Sequence, residues 1–508
     1  MQIEVIIEKK SHKLDAEEGK TILETLQEHG IHVLTAPCGG RGRCGKCTVE
    51  VEHMGEVLAC MTKVTDGMRI TIPKVQLRAQ KSKIAENGTV THYPADDGEG
   101  LDAACDIGTT TVVCHLIDGK TGEKLATVSE PSAQRSFGAD VLSRIQAAEA
   151  GKLEILKEQI IFQIAQMLRT LQKKTGRGEQ IQRLAVVGNT VMCHLFVGIS
   201  PVSIGVTPFM PQEFFGKEYT GEQLGLTDCR SVYIAPAVAG FVGGDITSDL
   251  LAVMQKKPKD KVLLLDIGTN GEMAVGNEEQ IYCCATAVGS AFEGAEMAMG
   301  MPAAVGAISH VWLDQRRIRV QVIGDEEACG ICGSGLIDAL AVILEMGLLD
   351  HTGLLKQKQS VSVAYRKYLG EYAGQPCVWL AHKVCVTQED IRGLQLAKAA
   401  FAAGMRILLQ DSHTPYEQLD HVVLAGGFGS YLKKESAAAI GLIPKELLPI
   451  TDSVGNAAGE GAVSAAISKK AREQLLTIRK SMHYIELSTH PDFSQEYMDQ
   501  MDFDESKR

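Results

Sequence analysis

Short apolar runs mark the first 75 residues as a small β-rich unit. Alternation of apolar and polar residues over four to eight positions is typical of strands with one buried face. Three runs are predicted to be strands: IEVIIE at 3–8, CTVEVE at 47–52 and MRITIP at 68–73. A helical stretch over 21–29 ends at Gly30, and Pro73 closes the unit.

The pattern changes at residue 101, where buried apolar strands begin to alternate with helical segments. Such alternation predicts an α/β domain. The polar stretch before it, with NGT, YP and DDGEG, is interpreted as a linker. The acidic, poorly periodic C-terminus is interpreted as a surface tail. The expected boundaries are a β-rich domain at 1–75, a linker at 76–100, an α/β domain at 101–472 and a tail at 473–508.

One segment of the α/β region occurs twice. CDIGTTTVVCHLID begins at Cys105 and LDIGTNGEMAVG begins at Leu265, and both run from an apolar strand through Asp-Ile-Gly-Thr into another strand. The two aspartates, Asp106 and Asp266, are 160 residues apart. This period is too long for a solenoid, and it predicts two similar lobes that face one another.

Composition and charge exclude several classes of protein. With 45% hydrophobic and 22% charged residues among 508, the chain is typical of globular proteins rather than disordered ones. Its net charge of −12 argues against nonspecific binding to nucleic acid or lipid, which needs clustered Lys and Arg. Because no run of 18 apolar residues and no signal pattern occurs, we expect a cytoplasmic protein whose 14 cysteines are thiols.

Four cysteines of the first domain have the spacing C-x5-C-x2-C-x12-C: Cys38, Cys44, Cys47 and Cys60. Three ligands on one glycine-rich loop and a fourth after a hairpin is the arrangement of [2Fe–2S] ferredoxins, where four thiolates hold two irons. Glycines allow the backbone to wrap closely and to aim amide N–H groups at sulfur. The five-residue first gap resembles the adrenodoxin-like branch. The spacing therefore predicts a [2Fe–2S] cluster.

Other interpretations of this loop fit less well. A zinc site with four cysteines usually has two separated CxxC pairs. The loop also formally matches GxGxxG and nearly matches a P-loop, but no βαβ unit surrounds it and Cys47 stands where a P-loop requires Ser or Thr. The other ten cysteines, including the CxxC formed by Cys329 and Cys332, are interpreted as packing residues, with a second metal site as the alternative.

Glycine-rich segments of the α/β region predict a nucleotide site. The two DIGT loops can present amide N–H groups and hydroxyls to phosphate from both sides, while each Asp can hold a Mg²⁺ water. VVLAGGFGSYL (422–432) permits close approach to a ring or ribose, and VGNAAGEGAVSAA (454–466) is a small-residue helix. The predicted nucleotide ligands here are Gly108, Thr109, Thr110, Gly268, Thr269, Asn270, Gly271, Gly426, Gly427 and Phe428.

Two further strand–helix junctions are expected to line the same cleft. LAVVGNTVMCHLF (184–196) has Asn189 at its junction, and CGICGSGLIDAL (329–340) has Ser334 near a helix start. Helix N-termini attract anions, although each junction could equally be a capped helix without a ligand. Glu272, six residues after Asp266, is the best candidate to orient an attacking water; Asn189 or Asp245 could share that role. The predicted catalytic residues are Asp106, Asp266, Glu272 and Asn189.

In this order the segments resemble the actin/Hsp70/sugar-kinase ATPase superfamily. The resemblance implies a two-lobed α/β, actin/Hsp70-like (ribonuclease H-like) ATPase domain behind an α+β ferredoxin-like (β-grasp) domain. It assigns the first phosphate loop to 106–111, the first connecting helix to 239–249, the second phosphate loop to 266–272, the adenosine motif to 424–429 and the second connecting helix to 454–466.

The fusion of the two modules resembles the family of reductive activators of corrinoid proteins. The segments that carry this resemblance are CGGRGRCGKC (38–47) with Cys60, DIGTTT (106–111), GNTVMCHL (188–195), DIGTNGE (266–272), GICGSGLIDAL (330–340) and LAGGFGSYL (424–432). Only about 25 residues separate the modules, so a large linker or middle domain is expected to be missing or reduced.

The resemblance implies an ATP-hydrolysing iron–sulfur reductase that returns a Co(II) corrinoid methyl-transfer protein to Co(I). Its cofactors would be a [2Fe–2S] cluster, ATP and Mg²⁺, and its partners a corrinoid protein and an external low-potential reductant; a homodimer is suggested by the family alone. The linker would let the cluster domain move between reductant and cobalt.

Three other functions remain open at this point. An activator of a radical dehydratase or aryl-CoA reductase would have a [4Fe–4S] cluster between two subunits and no ferredoxin domain. A small-molecule kinase with a regulatory cluster would yield a phosphorylated product. A redox-sensing scaffold would keep its partner activity after Cys44→Ser.

Overall fold

The computed structural model describes residues 1–31, 33–34, 36–73, 88–90, 92–292, 294, 297–429 and 431–503, without the side chains of Ser290 and Phe428. Within these ranges, no helix combines the length and apolar character needed to cross a bilayer. The described residues form a small N-terminal domain and two larger lobes, each built around its own sheet.

The N-terminal domain has the β-grasp fold expected from the sequence, a helix packed on a mixed five-stranded sheet. Helix α1 (Ile22–Glu28) begins at a capping box in which Thr21 and Glu24 bind each other's backbone N–H groups. Leu23 and Leu26 of α1 join the strand residues of one core. In sheet order β2-β1-β5-β3-β4, the strands are β1 (Gln2–Ile7), β2 (Lys10–Asp15), β3 (Thr48–Val51), β4 (Gly55–Leu58) and β5 (Arg69–Thr71).

The first lobe contains a six-stranded sheet of order β10-β11-β9-β6-β7-β8. Its near-continuous apolar strands, such as β6 and β9, are buried on both faces. The strands are β6 (Leu101–Ile107), β7 (Thr111–Asp118), β8 (Lys124–Pro131), β9 (Ile181–Val187), β10 (Lys217–Thr220) and β11 (Cys229–Ile234). The helices are α2 (Val141–Ala147), α3 (Leu153–Thr175), α4 (Thr190–Val197) and α5 (Gly221–Leu224).

The second lobe repeats this topology. In both sheets a three-stranded antiparallel meander begins with the strand that carries the DIGT aspartate, and that strand also pairs in parallel with a later one. The sheet order is β22-β21-β12-β13-β14-β23. Its strands are β12 (Val262–Ile267), β13 (Gly271–Gly276), β14 (Ile281–Thr286), β21 (His421–Ala425), β22 (Thr451–Gly455) and β23 (Met482–Tyr484).

Two three-stranded sheets and several helices complete the second lobe. The small sheets contain β15 (Ala307–Asp314), β16 (Arg317–Val322) and β17 (Gly330–Ile331), and β18 (Leu369–Tyr372), β19 (Gln375–Ala381) and β20 (Val384–Thr387). The helices are α6 (Gly244–Met254), α7 (Gly333–Glu345), α8 (Gln388–Asp411), α9 (Gly426–Gly429), α10 (Lys434–Ala439), α11 (Ala457–Ile467), α12 (Lys469–Ser481) and α13 (Phe493–Asp499).

Helices α6 and α11 pack against each other between the two sheets and share one apolar core with both. Their approach is close because small residues meet there. A Cβ added to Gly461 of α11 would lie 2.4 Å from the carbonyl oxygen of Ser248 in α6. These helices therefore connect the lobes as a tightly packed pair.

The expected linker and tail are partly built into the second lobe. Residues 74–87 and 91 of the linker region lie outside the described residues. Gly88 and Thr89 are bound to the second lobe, since Gly88 N donates to Glu460 Oε1 (3.0 Å) and Thr89 N donates to the Val454 carbonyl (2.8 Å). The boundary expected at 472 falls inside α12, and β23 of the expected tail pairs with β14.

Candidate functional site

The four cysteines of the first domain lie on one loop and the turn after β4. Cys38 and Cys44 are half-buried with their Sγ atoms 3.4 Å apart, while Cys47 and Cys60 are buried and contact each other. Two thiol pairs match a two-iron group better than a single-metal tetrahedron, because each iron of a [2Fe–2S] cluster takes two cysteines. The residues present therefore fit the predicted cluster.

Backbone amides of the loop point at its sulfurs. Burial alone would raise the pKa of Cys38, but the N–H groups of Cys44, Arg43 and Arg41 lower it to about 7. The loop reaches this shape through glycines with positive φ, such as Gly40 at 83° and Gly42 at 71°. The thiolate form that iron requires is thus favoured at this position.

The predicted first phosphate loop connects β6 to β7. Asp106, the penultimate residue of β6, accepts a hydrogen bond from Nδ2 of Asn456 (3.0 Å), the residue that caps α11. Position 108 requires glycine, because a Cβ there would lie 2.7 Å from the Thr111 carbonyl oxygen. Asn189 Nδ2 donates to Thr109 Oγ1 (3.0 Å), so the side chain at the α4 junction holds this loop.

The predicted second phosphate loop, between β12 and β13, faces the first. The Oγ1 atoms of Thr110 and Thr269 are 3.4 Å apart, which brings the two predicted loops together across the cleft. Gly426, with φ of 85°, lies against the same loop, since a Cβ there would be 2.2 Å from Asp266 Oδ1. The predicted adenosine motif thus lies beside the second aspartate.

A cavity of about 650 Å³ lies between the lobes and collects most of the predicted residues. It also includes Asp245, at the first turn of α6. Gly271 instead packs toward the Phe401 ring, and the side chain of Phe428 lies outside the described residues. The predicted residues that line the cavity are Asp106, Gly108, Thr109, Thr110, Asn189, Asp266, Gly268, Thr269, Asn270, Glu272, Ser334, Gly426 and Gly427.

Several buried carboxyl groups line one side of the cavity. Burial raises the pKa of Asp106 to about 7 and that of Asp266 to about 8, and neighbouring carboxylates add to both shifts. Among the described residues, Glu272 Oε1 has no hydrogen-bond partner although it is buried. A divalent cation bound here would favour the ionised forms of these carboxyl groups, but no three carboxyl groups of the described residues are arranged to hold such an ion.

The N-terminal domain contributes residues to the lining of this cavity and contacts both lobes. Pro37, Gly45, Lys46 and Thr48 contribute to the lining. On the second lobe, Lys46 Nζ donates to the carbonyls of Met297 (2.9 Å) and Gly300 (3.2 Å). On the first lobe, Gln27 Nε2 donates to the carbonyl of Ser136 (2.7 Å).

Several residues that shape the site were not identified from the sequence. Arg144, fully buried, donates to the Thr109 carbonyl, and Asn456 binds Asp106. Arg135 also lines the cavity. No local motif marks the two arginines, whereas Asn456 stands in the VGNAAGEG segment just before a helix and could have been recognised as its N-cap.

Three family models together match almost the whole chain. Residues 4–74 match a 2Fe-2S iron-sulfur cluster binding domain, 101–257 the RACo middle region, and 260–508 the C-terminal domain of RACo, the ASKHA domain. The expectation of a missing or reduced middle domain is therefore wrong.

Individual relatives match this chain over most of their length. The chain is 31% identical to the corrinoid activation enzyme RamQ of Eubacterium limosum, over 92% of this chain and 93% of the relative. It is 25% identical to the [Co(II) methylated amine-specific corrinoid protein] reductase of Methanosarcina barkeri, over 79% and 76%. A solved reductive activator for corrinoid, iron-sulfur protein superposes with a TM-score of 0.71 at 28% identity, covering 98% of both chains.

Proposed function

Because this chain belongs to the family of reductive activators of corrinoid proteins, we propose that it carries out ATP-dependent reduction of the Co(II) form of a corrinoid methyl-transfer protein to Co(I). The observation that carries this proposal is the shared cavity. Residues of the cysteine loop and of both predicted phosphate loops line the same space, so the electron-carrying and nucleotide-binding parts adjoin one cavity.

A [2Fe–2S] cluster held by Cys38, Cys44, Cys47 and Cys60 would supply one electron at about −400 mV. The Co(II)/Co(I) couple of the family's partners lies lower, and each 100 mV of uphill transfer of one electron costs about 2.3 kcal/mol. ATP can drive such a step only if its binding or hydrolysis favours one conformation or complex over another. The contact between cysteine loop and lobes is a suitable place for that coupling.

In the nucleotide site, the chain's own residues would bind Mg²⁺ and the phosphates and orient the attacking water. Asp106 and Asp266 would hold Mg²⁺, and the two threonine-containing loops would bind phosphate oxygens. Asn189 is a positioning residue, because its Oδ1 caps α4 and its Nδ2 holds Thr109, which leaves no group to accept a proton. Glu272 has one oxygen without a partner among the described residues, which supports a role in orienting the attacking water.

Further parts of the proposal rest on the family relationship alone. An external low-potential reductant would reload the cluster, and two copies of the chain would form a homodimer in the cytoplasm. Size-exclusion chromatography with light scattering measures the oligomeric state directly, and a monomer at micromolar concentration would contradict the homodimer.

Cobalt reduction tests the whole proposal. Anaerobically reduced protein is mixed with Mg-ATP and candidate Co(II) corrinoid proteins, and the Co(I) absorbance is followed. We expect Co(I) to form only with ATP, and Asp106→Asn or Asp266→Asn to abolish it without bleaching the iron–sulfur spectrum. An equal rate of Co(I) formation without ATP would contradict the proposal.

A further inference from the structure

Arg135 is a buried cation in the nucleotide cavity. Neither a sequence motif nor a family match assigns a role to this residue. It lies in the short 3₁₀ helix Ala133–Phe137 of the first lobe, lines the cavity and is only 9% exposed. Within the described part of the chain its guanidinium has no hydrogen bond and no ion pair, and burial lowers its pKa to about 10 without any opposing carboxylate. A buried guanidinium without an anion is unfavourable unless a ligand supplies one.

A second buried arginine nearby shows the contrast. The guanidinium of Arg144 donates to the carbonyls of Thr109 and Gly138 and to Gln134 Oε1, so it is committed to holding the first phosphate loop. The structure therefore already has an arginine for that structural role. Arg135 is left facing the open space of the cavity.

The position of Arg135 indicates which anion it meets. The helix that carries it begins beside the first phosphate loop, since Ser132 N donates to the Thr110 carbonyl (2.8 Å). The adenosine motif, with Gly426 and Gly427, belongs to the other lobe. The phosphate farthest from the adenosine is the terminal one, and a planar guanidinium matches a phosphate group with two parallel hydrogen bonds.

We propose that Arg135 binds the terminal phosphate of ATP and thereby distinguishes ATP from ADP. This inference rests on the proposed function only in taking ATP as the nucleotide. The same short helix also holds the cluster domain, because the Ser136 carbonyl accepts from Gln27 and the Phe137 carbonyl lies 3.4 Å from where a Cβ of Gly39 would be. The residue that senses the terminal phosphate is thus adjacent to the contact with the cysteine loop.

Nucleotide selectivity tests this proposal without any corrinoid partner. The full-length protein with its cluster is titrated calorimetrically with Mg-AMP-PNP and, separately, with Mg-ADP. Arg135→Gln should weaken AMP-PNP binding roughly ten- to hundredfold, the effect of losing a charge-assisted hydrogen bond, and change ADP binding less than about threefold. The control Arg169→Gln, on an exposed face of α3, should change neither.

Other outcomes would overturn the inference. Equal losses for both nucleotides would mean that Arg135 acts on the fold or on the inner phosphates. A shifted cluster midpoint potential with unchanged AMP-PNP affinity would make the iron–sulfur group its counter-ion instead. If Arg135→Gln does not fold, Arg135→Lys provides the same comparison, because it keeps the charge but loses the two-pronged geometry. Selective AMP-PNP binding without cobalt reduction would contradict the proposed function and leave this inference standing.

Discussion

Asp102 is a buried carboxyl group near the start of β6, the strand that also carries Asp106. Its Oδ1 accepts from the Arg183 backbone N–H (3.0 Å), while its Oδ2 has no partner among the described residues. Burial raises the pKa of Asp102 to about 7, well above its value near 4 in an unfolded chain. Between about pH 4 and pH 7, the folded protein therefore keeps a proton on Asp102 that the unfolded chain has already released.

This shift makes stability depend on pH with a defined sign. Because the folded pKa is the higher one, the wild-type protein should lose stability as pH rises from 5 to 8, and Asp102→Asn should remove on the order of 2 kcal/mol of that loss. Thermal unfolding of both proteins at several pH values measures the effect. Parallel curves for the two proteins would show that Asp102 is ionised in the folded state.

At this scale, the sequence predicted residues that belong to local motifs. The cysteines and the two DIGT loops could be identified because their chemistry depends on spacing within about ten to twenty residues. Asn456 binds Asp106 across 350 positions of sequence, and Arg135 enters the cavity only because its helix follows β8. Contacts of that kind depend on the tertiary fold, which a single sequence does not reveal.

At the scale of elements, the α6–α11 pair holds the two lobes in register. Gly461→Ala would place a Cβ 2.4 Å from the Ser248 carbonyl oxygen, so one helix must move. We expect a destabilisation of about 1–3 kcal/mol together with weaker nucleotide binding, since α6 carries Asp245 and α11 begins at Asn456. Melting temperature and AMP-PNP affinity measure the two effects.

Gly178→Ala is the matched control for this substitution, because nothing lies within 4 Å of its added Cβ. It should leave both quantities unchanged. If Gly461→Ala behaved like this control, the close approach of the two helices would be irrelevant to nucleotide binding.

The elements that the sequence missed are those without a buried pattern. Strand β2 (KSHKLD) was not predicted, because five of its six residues are exposed at the sheet edge and only Leu14 reaches the core. The segment from Gly88 to Asp97 was interpreted as linker because it is polar, yet Asp96 accepts from Ser468 Oγ (2.8 Å) and Lys469 N (2.7 Å) at the start of α12. A polar surface segment can be bound by hydrogen bonds alone, which hydrophobic periodicity does not detect.

At the scale of the whole molecule, the cluster domain must reach both its reductant and the cobalt of a partner. Removing six residues between Pro73 and Gly88 should slow cobalt reduction about tenfold or more, because a connection that cannot span two sites lowers their effective concentration steeply. The ATPase rate should stay unchanged, since both proposed phosphate loops lie in the two lobes. Stopped-flow Co(I) formation and phosphate release measure the two rates.

An insertion of six Gly/Ser residues at the same place is the control for that deletion, because loop-closure entropy changes only slowly with length. It should leave the cobalt reaction within about threefold of wild type. Unchanged turnover in the shortened protein would refute movement of the cluster domain.

The binding of Gly88 and Thr89 to α11 and β22 has a geometric consequence for any corrinoid protein. Pro73 and Gly88 are separated by 88 − 73 = 15 peptide steps, which can span at most about 50 Å when fully extended. Pro73 must therefore stay within a sphere of that radius centred on Gly88. Every productive docking pose must bring the cobalt ion to within one domain's width of this sphere. Partners too bulky to enter this sphere are excluded by reach alone, whatever their surface chemistry.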